Sequence, residues 1–333
     1  NLGMTQRARI EFAQRGGRIN NDAIDNSAGV NSSDLEVNIK IALGQVVRDG
    51  ALSIEDRNVL LADMTEEVAS LVLRNNYLQT LSLSLSEQRG LADLSFQARF
   101  MRDLEARGLL DRAVEDLPDD VALLEREKNG APLTRPELAV LLAYAKITLF
   151  DQLLASDVPD DEYLSKELMR YFPAQLRERY SDAIAVHRLR REIIATMLAN
   201  SMINRGGPTL IVRLVDQTGA DVGRIASAFA AVRDSFSMTE LNTAIDELDN
   251  KVSGTLQLDL YRRIQDLVVE QIAWFLRNVS FDGGLADVIA RYKAGIETLF
   301  AALDDVLPKD APRRFAANRD HLPGHGLPAN VAP

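Results

Sequence analysis

The chain has 333 residues, of which 46% are hydrophobic and 26% are charged, an ordinary composition for a soluble globular protein with two or three packed units. The formal net charge of −11 repels phosphate backbones and anionic lipid, so we expect no binding to nucleic acid or to a membrane surface. The chain contains no cysteine, which excludes disulfides, thiolate nucleophiles and cysteine-based metal sites and is compatible with a cytoplasmic location.

No apolar run approaches the roughly 20 residues that a membrane-spanning helix requires. Residues 1–4 have neither the basic region nor the apolar core of a secretion signal. They also lack an initiator methionine. We therefore expect this chain to be a part of a longer polypeptide.

Before residue 33 the pattern is mixed. A helix is predicted from Arg7 to Arg15, ended by the glycine pair at 16–17. Residues 18–20 could form a short strand. The segment 25–31 contains Asn, Ser and Gly and is predicted to be a loop.

From Ser33 onward the pattern is helical almost without interruption. Ser33 and Glu36 have the spacing of a capping box, so a helix is predicted to begin there and to end at Gly50. Ser53 and Thr65 are predicted to cap the next two helices.

The best internal boundary is the breaker cluster at 129–132, which combines Asn, Gly and Pro. Thr134 and Glu137 follow it as a second capping box, and the helix that they open is predicted to run to about Ala155. A left-handed stop is predicted at Gly108. Further helices are predicted at 160–171, 174–205, 208–217, 220–235, 238–250, 252–278 and 284–306, and the segment from 308 onward is predicted to be a loose tail.

The polar segment 22–33 is the strongest candidate for a functional site. It places polar residues at the predicted amino end of a helix near Asp34, where free N–H groups can hold a carboxylate or a phosphate. Gly29 would let a ligand approach the backbone, and Asn26 offers a donor and an acceptor. The alternative is an ordinary turn with Ser33 as a helix cap, which the residues alone favour.

Several longer motifs resemble the large bacterial NAD-specific glutamate dehydrogenases. They are RIEFA (9–13), GGRIN (16–20), DAIDNSAGV (22–30), SDLEVNIKI (33–41), LRNNYLQT (73–80), TRPELAVLLAYAK (134–146), YFP (171–173) and LANSMINRGG (198–207). The resemblance extends from residue 1 to about 278. It implies an enzyme of amino-acid catabolism that converts L-glutamate to 2-oxoglutarate and ammonia with NADH formation, of which this chain is the C-terminal part.

The resemblance also implies roles for single residues. The smaller hexameric glutamate dehydrogenases have an Asn-Ala-Gly-Gly-Val loop followed three residues later by Ser. By this likeness Asn26 is a contact of the NAD cofactor, while Val30 and Ser33 line the glutamate pocket. Ser27 and Ala28 depart from the Ala and Gly of that loop.

No catalytic residue is assigned in this chain. The family's reaction requires a lysine, an aspartate and a phosphate-binding glycine turn, which we expect in the preceding sequence. Lys40 and Lys146 lie in predicted helices and match no catalytic motif. His187, His321 and His325 lack helical metal-ligand spacing, so no metal site is predicted.

The sequence therefore predicts a mainly α protein, in which a remnant of an α/β dinucleotide-binding dehydrogenase domain is followed by a multi-helix bundle. We divide it into the end of the catalytic domain (1–50), a connecting helical segment (51–130), a C-terminal helical domain (131–307) and a loose or truncated tail (308–333). The expected partners are L-glutamate, 2-oxoglutarate, the upstream part of the same polypeptide and further copies in a homo-oligomer. The alternative is a non-catalytic helical scaffold or protein-interaction module.

Overall fold

A computed structural model describes residues 3–302 and residue 306. Within these residues the chain forms seventeen α-helices and three short 3-10 helices, and it has no β-strand. The mainly α fold class is confirmed. The contacts divide the chain into two compact units, Asn1–Asp216 and Gln217–Pro333. The four-part division made from the sequence stays a prediction.

The first twelve α-helices lie in the first unit. They are α1 (Gln6–Gln14), α2 (Asp22–Asp25), α3 (Ser27–Arg48), α4 (Ile54–Asp63), α5 (Thr65–Arg89), α6 (Leu94–Ala106), α7 (Asp120–Lys128), α8 (Arg135–Leu154), α9 (Ser165–Tyr171), α10 (Ala174–Arg179), α11 (Ser181–Ala185) and α12 (Arg190–Gly206). The remaining five are α13 (Leu210–Thr218), α14 (Val222–Ser235), α15 (Met238–Asp246), α16 (Gly254–Asn278) and α17 (Gly284–Ala301). The 3-10 helices are Gly90–Asp93, Val158–Asp160 and Glu162–Leu164.

The predicted strand at 18–20 is wrong. These residues form an irregular connection between α1 and α2, because a strand needs a neighbouring strand for its backbone groups and the described residues offer none. Hydrogen bonds from side chains hold the connection in place instead. The Asn20 carbonyl accepts from Arg9 Nη1 at 3.0 Å, and Asn20 Nδ2 donates to Asp25 Oδ1 at 3.1 Å. A remnant of a dinucleotide-binding sheet is therefore absent from the described part of the chain.

The predicted loop at 25–31 is also wrong, because α2 and α3 follow one another with only Asn26 between them. Ser33 lies inside α3 and does not cap it, so the predicted capping box with Glu36 is wrong as well. The expected helix amino end near Asp34 lies at Ser27. The end of α3 is as predicted, with Gly50 in the left-handed region at φ 74°.

Most of the other predicted helix ends are confirmed. Ser53 caps α4 by accepting from the Asp56 N–H at 3.0 Å, and Gly108 takes a positive φ of 66°. Thr134 caps α8 in a complete capping box. Thr65 is the first residue of α5 and does not cap it.

The predicted single helix at 174–205 is wrong, because the segment forms the three helices α10, α11 and α12. Tyr180 interrupts it at φ −136° and ψ 34°, and His187 sits in a tight turn where its Nδ1 accepts from the Leu189 N–H at 3.1 Å. The predicted helix at 160–171 begins as 3-10 turns before α9. The predicted loose tail from 308 lies outside the described residues.

The core that positions the candidate site is built from four long helices. Helix α8 packs against α12 and α5, and α5 packs against both α12 and α3. The apolar run from Leu138 to Leu142 is buried on α8, so this helix lies in the centre of the first unit. None of the helices that the structure describes is both long and apolar enough to cross a membrane.

A buried polar network holds the middle of α3. The Tyr171 hydroxyl donates to Asp34 Oδ2 at 2.6 Å and accepts from Asn38 Nδ2 at 2.8 Å. Burial, together with the Asp34 carboxylate, raises the pKa of Tyr171. His187 Nε2 lies 3.1 Å from the Asn38 carbonyl. Because Nδ1 of the same ring accepts from Leu189, the neutral ring carries its proton on Nε2 and donates it to that carbonyl.

In the second unit, α14 packs against α15, α16 and α17. Asp221 caps α14 and Ser253 caps α16 through their side-chain oxygens. Trp274 on α16 contacts the ring of Tyr292 on α17 edge-on, with ring centroids 6.1 Å apart. These contacts make the second unit a helical bundle.

Candidate functional site

A cavity of about 410 Å³ lies in the first unit, where the start of α3 faces α5, α8 and α12. Most of the residues that line it have polar side chains, with six side-chain amides, one lysine and one aspartate. The lining residues are Asp22, Ala23, Asn26, Ser27, Val30, Asn31, Asn75, Gln79, Lys146, Asn200 and Asn204.

Two of the three residues that the resemblance singled out line this cavity. Asn26 lies between α2 and α3, and its Nδ2 donates to the Asp22 carbonyl at 3.1 Å. Val30 lies in the first turn of α3 and is 73% exposed. Ser33 is exposed and stands one turn farther along α3, outside the cavity lining. The structure thus brings Asn26 and Val30 to one site and places Ser33 beside it.

Helix α5 fixes the amino end of α3. The Ser27 hydroxyl donates to Asn76 Oδ1 at 2.8 Å, and Gln79 Nε2 donates to the same hydroxyl at 3.4 Å. Asn75 and Gln79 are four residues apart and therefore share one face of α5. Ser27, where the hexameric loop has Ala, accordingly ties the cavity wall to its neighbour.

Arg9 on α1 stabilises the same wall through ion pairs. It is 4% exposed, and its guanidinium pairs with Asp25 Oδ2 at 3.0 Å and with Asp22 Oδ1 at 3.4 Å. Asp22, the acidic residue of the cavity, therefore already has a cationic partner, which it shares with Asp25. The segment 20–25 is held to α1 by these contacts.

Lys146, which matches no catalytic motif in the sequence, lines the cavity from helix α8. It forms no ion pair with any residue that the structure describes. Burial lowers the pKa of Lys146 to about 7, since a charged ammonium loses hydration in this environment. Lys146 closes the motif at 134–146, and a lysine inside so apolar a helix is the signal that could have drawn attention to it.

Asn204 on α12 is a second unusual residue of the cavity wall. It is 3% exposed, and its buried Oδ1 has no hydrogen-bond partner within the described part of the chain. Buried polar atoms are nearly always paired, so an unpaired acceptor on a residue that lines the cavity marks a place where the packing leaves a hydrogen bond unmade. Asn200 lies one turn earlier on the same helix and also lines the cavity.

The walls define what the cavity can hold. Amides supply both donors and acceptors, and one lysine supplies positive charge, so a small polar molecule with an anionic group is the best match. The volume is near the lower end of the roughly 300–1,000 Å³ range of small-molecule pockets. A metabolite of amino-acid size fits this space, whereas a whole dinucleotide does not.

Comparison with known proteins identifies the family. The model of the bacterial NAD-glutamate dehydrogenase catalytic domain matches residues 1–86, and the model of the glutamate dehydrogenase C-terminal region matches residues 130–333. Residues of both matched regions line the cavity. Asn26 and Val30 lie in the first match, while Lys146 and Asn204 lie in the second.

Three similar relatives bear the name NAD-specific glutamate dehydrogenase. The chain is 42% identical to that of Pseudomonas aeruginosa over 332 residues, 42% identical to that of Halomonas elongata over 334 residues and 34% identical to that of Mycobacterium tuberculosis over 334 residues. Each alignment covers 100% of this chain and 20% of the relative, so the chain spans about a fifth of the length of the curated relatives it matches. The resemblance seen in the motifs is confirmed, and the chain belongs to the glutamate dehydrogenase family through the C-terminal region that its residues 130–333 match.

Proposed function

We propose that the whole protein is an NAD-dependent glutamate dehydrogenase that converts L-glutamate to 2-oxoglutarate and ammonia in the cytoplasm, as a step of glutamate catabolism. This chain supplies one wall of the glutamate pocket and the helical support behind it. The family and the names printed for the three relatives support the reaction. The charge and composition of the chain are compatible with it.

One observation carries the proposal. Asn26 and Val30, singled out by their likeness to the hexameric loop, line the same polar cavity as residues of the C-terminal match. Since helices more than a hundred residues apart meet there, the cavity depends on both regions of the chain. A site of amino-acid size with amide walls and a lysine suits a dicarboxylic amino acid.

The proposed substrate wall is the exposed face of α3. Val30 and Ser33 are three residues apart and lie on the same side of the helix, and both side chains are exposed. The Val30 side chain would pack against the methylene groups of glutamate, while the Ser33 hydroxyl would donate to its side-chain carboxylate. The upstream part of the polypeptide would cover this face and complete the pocket.

The fit of NAD to this chain is limited to one contact. Asn26 lies at the cavity and carries an amide that can hydrogen-bond a nicotinamide carboxamide. The cavity is too small for the dinucleotide, and the described residues contain no Gly-x-Gly-x-x-Gly turn between a strand and a helix for its phosphates. NAD, when bound, accepts the hydride, and its phosphates would be held by the remainder of the protein.

The helical region is proposed to have a supporting role in addition. The proposed boundary at 131 is supported by the start of the C-terminal match at residue 130. Residues 131–307 would brace the dehydrogenase domain, contribute to contacts in a homo-oligomer or carry regulatory input. With the catalytic lysine and aspartate expected upstream, the isolated chain should not oxidise glutamate.

The experiment measures glutamate-dependent NADH formation by the full-length protein and by its Ser33→Ala variant. We expect Ser33→Ala to raise the KM for glutamate by about 10-fold with a smaller effect on kcat, because a hydrogen bond to a carboxylate contributes about 1.5 kcal/mol. Ser32→Ala is the matched control, since the exposed Ser32 hydroxyl donates to the Ala28 carbonyl of its own helix.

The outcomes separate the role of the residue from the function. An unchanged KM in Ser33→Ala removes Ser33 from the pocket. Absence of glutamate-dependent NADH formation by the full-length protein contradicts the proposed function, and glutamate oxidation by the isolated chain contradicts the expected upstream position of the catalytic groups. In that last case the scaffold or interaction-module alternative also fails.

A further inference from the structure

We propose that Lys146 binds a carboxylate of the ligand in the cavity, so that the C-terminal helical region takes part in substrate binding directly. This inference rests on the proposed function and deepens it. It assigns a binding role to a residue of α8, whereas the likeness to the hexameric loop concerns only the start of α3.

The cavity gives Lys146 no anionic partner of its own. The walls facing it from α5 and α12 are the amides of Asn75, Gln79, Asn200 and Asn204. The wall from α3 is also uncharged. The aspartate on the wall, Asp22, is paired with Arg9 at 3.4 Å. The positive charge of Lys146 is therefore available to an anion that enters the cavity.

A purely structural role does not account for this lysine. Lys146 is half-buried, and an ammonium group that loses part of its hydration without gaining a partner is less favourable there than an apolar side chain of similar length. The lowered pKa of Lys146, about 7, reflects that cost. A carboxylate that binds beside the ammonium restores the charged form and takes up a proton where the free lysine is neutral.

The unpaired oxygen of Asn204 favours a ligand that carries a hydrogen-bond donor as well as a carboxylate. Asn204 Oδ1 is buried without a donor among the described residues, and it shares the cavity with Lys146. A ligand with both a carboxylate and a donor group satisfies both positions, which an amino acid does and a simple monocarboxylate does not. Glutamate fits this description, and glutarate is the matched dicarboxylate without the amino group.

The test is calorimetric binding of L-glutamate and glutarate to the full-length protein and to three variants. Lys146→Met removes the charge while keeping the length of the side chain, and Lys146→Arg keeps the charge. Lys40→Met is the control, because Lys40 is an exposed lysine of α3 that pairs with Glu36 outside the cavity.

We expect Lys146→Met to weaken binding of both dicarboxylates by about 10-fold or more, as loss of a charge-assisted hydrogen bond does. Lys146→Arg should retain part of the affinity, and Lys40→Met should bind as the parent protein does. Glutamate should bind more tightly than glutarate because only glutamate can donate to Asn204.

The pH dependence provides a second readout. Because Lys146 is protonated below its pKa of about 7, the affinity of the parent protein for glutamate should fall as the pH rises above 7. This fall should be absent in Lys146→Met. The other charged group on the walls is Asp22, which pairs with Arg9.

Thermal unfolding separates loss of binding from loss of folding. The pKa of Lys146 is lower in the folded chain than the value of about 10.4 for a free lysine, so its charge destabilises the fold fully below pH 7 and ceases to do so above about pH 10. Lys146→Met should therefore raise Tm below pH 7 while it weakens binding.

Three results would overturn the inference. These are parent-like glutamate affinity in Lys146→Met, an unchanged pH dependence in that variant, or equal competition by inorganic phosphate, which would mark a general anion site. If the parent protein binds no glutamate at all, the proposed function fails together with the inference. If it binds and oxidises glutamate while Lys146→Met does so equally well, only the inference fails.

Discussion

Ser33 and Thr134 each open a Ser/Thr-x-x-Glu pattern in the first unit, and only Thr134 begins a helix. Thr134 caps α8 at φ −76° and ψ 160°, and its N–H donates to Glu137 Oε2 at 2.7 Å. Ser33 lies inside α3, and Glu36 pairs with Lys40 one turn later in place of reaching back. The pattern alone therefore does not determine where a helix begins.

The difference lies in the residues that precede each pattern. Before Thr134 the chain must leave the helical conformation, because Gly130 takes a φ of 68° and Pro132 follows it. Before Ser33 nothing forces a break, since Gly29 keeps a negative φ inside α3. Extending an existing helix costs less than nucleating another, so α3 continues through Ser33.

Tertiary contacts also distinguish the two patterns. Glu137 is fully buried and makes two hydrogen bonds to Arg126, at 2.8 and 2.9 Å. Glu36 is exposed and has its partner on its own helix. One glutamate thus joins two helices, while the other lies on the outer surface of α3.

The largest expected effect comes from breaking the genuine capping box. Glu137→Gln removes the charge that balances Arg126 and weakens the cap, so we expect a loss of about 3 kcal/mol in the free energy of unfolding. Urea unfolding followed by circular dichroism measures it. A loss below about 1 kcal/mol would place Glu137 among ordinary surface ion pairs and contradict its role at this boundary.

Replacing each of two glycines with alanine tests whether the backbone before each pattern is helical. Gly130→Ala places a Cβ in the left-handed region and should destabilise the chain by about 1–2 kcal/mol. Gly29→Ala should stabilise it by about 0.5–1 kcal/mol, because Gly29 is helical and a Cβ there meets nothing within 4 Å. The same unfolding experiment gives both signs. Destabilisation by Gly29→Ala would mean that residues 25–31 form a loop after all.

The smallest expected effect is at Glu36, because the pattern from Ser33 to Glu36 does not cap a helix. Glu36→Ala removes an exposed ion pair four residues apart, which contributes only about 0.3–0.5 kcal/mol. Salt should reduce even this difference, since exposed charges are screened. A loss above about 1 kcal/mol that persists in high salt would indicate that Glu36 caps a helix.

The sequence predicted those parts of the fold that depend on local signals. Gly50, Gly108, Ser53 and Thr134 mark helix ends through their own backbone or side-chain preferences, and each was placed correctly. The break within 174–205 was missed because distant contacts determine it. His187, for example, is held in its turn by the carbonyl of a residue 149 positions away.

The candidate site was predictable only in part for a similar reason. Asn26 and Val30 came from the resemblance, and the structure places both on one cavity. Ser33 stays a prediction, because its face of α3 is open in the described chain. A lysine in an apolar helix was a signal at Lys146, but its place on the cavity wall depends on α5 and α12 packing against α8.

Helix α3 runs without a break for 22 residues from Ser27 to Arg48, a length of roughly 33 Å. Its first turn forms a wall of the cavity, and its middle is hydrogen-bonded to Tyr171 and His187. A continuous helix moves as one rigid element. Repacking around Tyr171 and His187 would therefore also move the first turn of α3. The shape of the cavity would then change although the repacked residues do not line it.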